Sequence, residues 1–127
     1  MSLQAIIAVF LGGGIGSLCR FLVSLGVLRL SPSAFPWGTL TANVLSCVIM
    51  AGGLYYFADK LPEGSWQRLF IVVGLCGGFS TFSTFSLENF LLIKQGNFGF
   101  LILNILLSIL LCLMVFWAME RAEGVGS

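Results

Sequence analysis

Four long apolar runs occupy residues 3–28, 37–58, 66–93 and 98–119, with only short polar links between them. A helix crosses the hydrocarbon core with about 20 predominantly apolar residues, so each run is long enough to span a bilayer. No room remains for a soluble domain. Of the 127 residues, 58% are hydrophobic and 9% charged, and the mean hydropathy is +1.06; a soluble domain has roughly 45–50% apolar and 25% charged residues. The expected fold is an all-α membrane protein, a single four-span domain over residues 1–127. The first run carries no positive charge before Arg20 and outlasts the roughly 7–15-residue core of a signal peptide, so it reads as a retained span.

Several function classes drop out on composition. There is no histidine, which removes the commonest general base, metal ligand and pH switch. No nucleotide-binding loop is present, and no nucleophile has a base beside it, so an enzyme is not expected. Six basic and five acidic residues are scattered without a cluster of either sign, which argues against nucleic acid as a partner. Cys19, Cys47, Cys76 and Cys112 fall one to a span, without the close spacing of a metal or redox motif, and read as small packing residues.

The links give little sense of direction. Lys60, Arg68 and Arg121 fall on one side of a four-span hairpin stack, and Arg29 and Lys94 on the other. A three-to-two split is almost no bias under the positive-inside rule. A chain so balanced can insert both ways, or hold one weakly preferred orientation.

The stretch Gly74 to Ser86, GLCGGFSTFSTFS, is the most unusual in the chain. Glycine and serine at this density weaken a membrane helix, and a break in the third span is expected here. Non-helical backbone at membrane depth is tolerated only where protein or a water-filled cavity covers it. The glycines also have a packing reading, since Gly74 and Gly78 form a small-xxx-small pair like Gly12 and Gly16 in span one. Phe82 and Phe85, three apart, share a helix face, and the positive edge of a phenyl ring can meet a small anion without trapping it. An ordinary apolar pair is the plain alternative.

Polar residues recur at helical spacing in two other spans. Thr39, Asn43 and Ser46 form a stripe on span two, and Asn104, Ser108 and Cys112 one on span four. Interhelical hydrogen bonds account for any one of these as well as a shared polar track does. Two ionisable residues remain within the spans, Arg20 and Glu88. Arg20 lies about 25 Å from Leu3 along a helix, near the far interface, where it either attracts anions or snorkels. Glu88 is expected to pair with a lysine or arginine near the end of span three.

At these residues the chain resembles the Fluc family of fluoride channels, also called CrcB, over nearly its whole length. Gly13, Gly14, Gly16 and Arg20 follow that family's span-one pattern, and Gly38, Thr39, Leu40 and Asn43 its span-two pattern. Gly74, Gly77, Gly78, Thr81, Phe82, Ser83, Thr84 and Phe85 follow its hallmark run. Ser80 stands where threonine is usual, Ser46 where glycine is common, and Asn104 where tyrosine is expected.

The resemblance implies an antiparallel, dual-topology homodimer with two separate fluoride paths. It implies that Phe82 and Phe85 contact fluoride by their ring edges and that Asn43 orients or donates to the path. Thr39, Ser83, Thr84 and Ser108 would extend the polar track, and Arg20 would serve its aqueous vestibule. A structural sodium ion, Na+, at the dimer centre would be held by backbone carbonyls of Gly77 and Ser80 from both subunits. The implied activity is passive, selective export of fluoride across a bacterial plasma (inner) membrane, relieving fluoride toxicity. The implied partners are the fluoride ion, a second copy of the chain and the lipid bilayer. Two other readings stand beside it: a small proton-coupled multidrug exporter, which would have to use Glu88, and an accessory membrane subunit with no transport of its own.

Overall fold

The computed structural model describes residues 2–57 and 60–125, and within them every regular element is helical. Ala58 and Asp59, assigned above to the end of span two and to its link, lie outside the described residues. Helix α1 (Leu3–Leu30) opens at Ser2, whose hydroxyl accepts from the Ala5 amide at 3.1 Å, and ends where Ser31 turns out of helical geometry just before Pro32. In the following link Phe35 is 3% exposed, wedged between Trp37 and Phe100 at centroid distances of 4.6 and 5.5 Å. Buried aromatic area thus anchors the link to the fourth span. Helix α2 (Trp37–Phe57) follows directly.

The third span, Trp66–Lys94, is composite. It starts as α3 (Trp66–Arg68), capped by the Ser65 hydroxyl, widens into π-helical geometry over Leu69–Cys76, and tightens again in α4 (Gly77–Phe79). Ser80 and Thr81 then take extended backbone, with φ and ψ of −79° and 157° and of −149° and 122°. Helix α5 (Phe82–Lys94) resumes from Thr81, whose hydroxyl caps it. Gly96, at φ +71°, ends α5 in a left-handed conformation that lets the Asn97 amide reach back to the Leu92 carbonyl at 2.9 Å. Asn97 Oδ1 then accepts from the Phe100 amide and starts helix α6 (Phe98–Val125). Among the described residues, four helices are therefore long and apolar enough to cross a membrane. The chain is a multi-pass membrane protein.

Helix α6 continues past Met119, where the apolar run ends, to Val125. Arg121 sits 4.8 Å over the Trp117 ring, and Glu120, Ala122 and Glu123 are good helix formers, so loss of hydrophobicity does not stop the helix. The polar segment that follows the apolar run is helical as far as Val125.

Helix α1 packs most extensively against the π-helical stretch and α4. The seam is made of glycine. A methyl group at Gly12 or Gly16 would collide with carbonyls of the third span, and one at Gly74 would sit 2.9 Å from Gly12 Cα. The small-xxx-small pairs of spans one and three thus bring two backbones together. On the other side α2 packs on α6, and Ala42 and Ala51 are wholly buried. Large apolar side chains such as Phe10, Leu30 and Leu113 face outward, where lipid replaces water.

Candidate functional site

The site is built around the two non-helical residues of span three. Three donors converge on the Cys76 carbonyl: the Ser46 hydroxyl at 2.9 Å, and the Ser80 hydroxyl and amide, both at 3.0 Å. They fix the end of the helical stretch. Beyond it the Thr81 amide donates to Asn43 Oδ1 at 2.7 Å, and Asn43 Nδ2 donates to the Thr81 carbonyl at 3.3 Å. One side-chain amide on α2 thus serves both polar ends of Thr81, and in hydrocarbon each would otherwise cost several kcal/mol.

The same bonds release two carbonyls. In a continuous helix the Thr81 amide would serve Gly77 and the Thr84 amide would serve Ser80. Here the first goes to Asn43 and the second to the Thr81 hydroxyl, at 3.2 Å. Gly77 is exposed on the face of the subunit, and a Cβ there would meet nothing within 4 Å. Among the described residues no group of three or more histidine, cysteine, aspartate or glutamate side chains stands together. A hard cation held here would take its oxygens from the backbone.

Beside Ser80 and Thr81 a groove of about 430 Å³ brings together Asn43, Phe82, Phe85 and Ser108. The phenylalanine ring centroids lie 5.9 Å apart with a 38° tilt between planes, so the two do share a face. Phe82 is 79% exposed and Phe85 half-buried. Among the described residues no charged side chain lines this groove; besides the rings, the hydroxyls and the Asn43 amide it presents the Cys47 and Cys112 thiols and aliphatic carbon.

Four of the site residues read from the sequence lie elsewhere. Thr39 is buried under a second cavity of about 300 Å³, where its hydroxyl donates to Glu88 Oε1 at 2.6 Å. Ser83 and Thr84 sit in the first turn of α5, around the Thr81 hydroxyl. Arg20 donates from Nε to the Gly78 carbonyl at 3.3 Å and does not line the groove.

Glu88 corrects one expectation. Its partner is Thr39 on α2, not a lysine or arginine; Lys94 instead sits 5.9 Å over the Phe90 ring. Glu88 Oε2 is buried with no hydrogen-bond partner among the described residues. Asn89 escaped notice in the sequence: it is 8% exposed and accepts from Asn104 Nδ2 at 2.8 Å. Its polarity inside an apolar run was the available signal. Thr81 was legible only as part of the glycine and hydroxyl stretch, because its contribution comes from its backbone.

A family model described as "CrcB-like protein, Camphor Resistance (CrcB)" matches residues 7–119. The fluoride-specific ion channel FluC of Phocaeicola vulgatus is 37% identical over 122 residues, covering 93% of this chain and all of the relative. The protein of the same name from Salmonella arizonae is 39% identical over 128 aligned positions, covering 96% of this chain and 98% of the relative. Salmonella newport carries one with the same identity and coverage.

Proposed function

The chain belongs to the CrcB-like family, a family of ion channels and not of enzymes, and from that premise we propose that it is a passive channel selective for fluoride. The observation that carries the reading is the uncharged groove in which Asn43, Phe82, Phe85 and Ser108 meet. Removing water from a small anion costs on the order of tens of kcal/mol in a low-dielectric medium, whereas one hydrogen bond to a charged group returns about 1.5–3 kcal/mol. Several weak donors, with some retained water, must therefore act together. A lysine or arginine in the narrow part would hold the ion too tightly to pass it on. Phenyl edges offer positive potential without that charge.

The functional unit we propose is an antiparallel homodimer with one fluoride path along each groove. Phe82, largely exposed on the single subunit, would be covered by the second copy. Arg20 would draw anions toward the aqueous end, and Thr39, Ser83 and Thr84 would extend the polar track beyond the groove. A sodium ion at the dimer centre fits the two carbonyls, Gly77 and Ser80, that lose their helical donors. Bound there, it would neutralise partial negative charge between the two copies. In a bacterial inner membrane such a channel would let cytoplasmic fluoride leave down its gradient.

The test is efflux from liposomes loaded with potassium fluoride, read with a fluoride electrode after valinomycin is added, with chloride-loaded vesicles alongside. Fast fluoride release without chloride release is the expected result. No release of either ion from monodisperse protein would reject the channel and return attention to an exporter or an accessory subunit.

A further inference from the structure

Ser108 is the groove end of a file of buried polar side chains. Its hydroxyl donates to Asn104 Oδ1 at 3.3 Å, and Asn104 Nδ2 donates to Asn89 Oδ1 at 2.8 Å. Asn104 is 1% exposed, and Asn89 and Ser108 are each 8% exposed. In this polarity the one hydrogen of the Ser108 hydroxyl is committed to Asn104. Only oxygen lone pairs remain for the groove, the wrong sign for an anion.

An amide carries donors at one end and an acceptor at the other, so a half-turn about its last side-chain bond exchanges them. If Asn104 and Asn89 turn together, Asn89 Nδ2 donates to Asn104 Oδ1 and Asn104 Nδ2 donates to Ser108 Oγ. Both hydrogen bonds are kept, and the Ser108 hydrogen is released. The hydroxyl then accepts while it donates, which strengthens it as a donor. We propose that Asn104, supported by Asn89, is a positioning residue that reverses the polarity of this file and turns the Ser108 hydroxyl toward fluoride in the groove. The proposal rests on the fluoride reading above. Neither amide touches the ion; both act through Ser108.

The experiment compares the fluoride dependence of efflux for the full chain in liposomes with that of Ser108→Ala, Asn104→Leu and the two combined. Ser108→Ala should lower apparent fluoride affinity by about three- to tenfold, the range of one modest hydrogen bond, and Asn104→Leu, which leaves the hydroxyl unsupported and unoriented, should lower it by a smaller factor. The combined variant should be no weaker than Ser108→Ala alone, because Asn104 has nothing left to orient. Against misfolding of Asn104→Leu, Asn89→Leu/Asn104→Leu removes both buried amides together and should show the same loss. Unchanged or tighter fluoride dependence in Asn104→Leu would overturn the proposal, as would a loss equally large in the Ser108→Ala background, which marks a packing role. Both outcomes occur in a conducting channel and leave the fluoride reading intact. A wild-type chain that releases no fluoride removes that reading, and this proposal falls with it.

Discussion

Asn43 places both ends of its amide on one peptide unit, Thr81, so its substitution acts on backbone before it acts on any ion. Asn43→Ala leaves the Thr81 N–H and carbonyl without that partner, at about 1–3 kcal/mol for each group left unpaired. Lower thermal stability in detergent, together with a fall in fluoride flux of roughly tenfold or more, the equivalent of about 1.4 kcal/mol, is expected. Native stability with native flux would show that Asn43 does not hold the turn. Phe82→Ile removes a ring from an exposed position and should leave the subunit folded. Flux should fall about 2- to 10-fold, matching the ~0.5–1.5 kcal/mol of a typical aromatic contact, and chloride exclusion should weaken. Efflux indistinguishable from wild type for both ions would remove the ring edge from the mechanism.

The elements follow from the sequence where lipid alone dictates them. Runs of more than twenty apolar residues have one stable form in a bilayer, and the glycine pairs at 12/16 and 74/78 had a packing reading that the structure realises. Pairings across elements were harder to see. Glu88 faces Thr39 rather than a cation, and Asn104 meets Asn89 across the α5–α6 turn, because such contacts depend on how each helix is rotated. A 3.6-residue period names a face but not its neighbour. Hence Asn43, Phe82, Phe85 and Ser108 converge on one groove, while Thr39, Ser83, Thr84 and Arg20, equally polar in sequence, do not line it. The seam itself can be tested at this scale. Gly16→Ala drives a methyl into backbone atoms of Leu75 and Phe79, which cannot swing aside, and should cost about 1–3 kcal/mol or more and cut the yield of folded protein. Gly99→Ala, in the first turn of α6, meets nothing within 4 Å and should be tolerated. Equal yields of the two on size exclusion would contradict the seam.

For the whole molecule, the balance of charge between the two faces is the feature most open to manipulation. Gln95→Lys adds a positive charge beside Lys94, and Glu63→Lys adds one beside Lys60, on opposite sides of the membrane; both positions are exposed. Each variant alone should be biased to one orientation. In the proposed antiparallel pair, either variant alone should conduct poorly after expression, and co-expression of the two should restore fluoride efflux. Full activity from each variant by itself would separate function from dual insertion.

The glycine seam also bears on heat. Joining two helices through side chains freezes rotamers, at up to about 2 kcal/mol for the longest ones, whereas glycine has none to freeze. Along Gly12, Gly16, Gly74 and Gly78 the first and third spans meet as bare backbone. Rising temperature therefore has little side-chain entropy to recover by parting them there. The segment that must hold an extended turn inside a membrane is supported on its α1 side by a contact that warming does little to loosen.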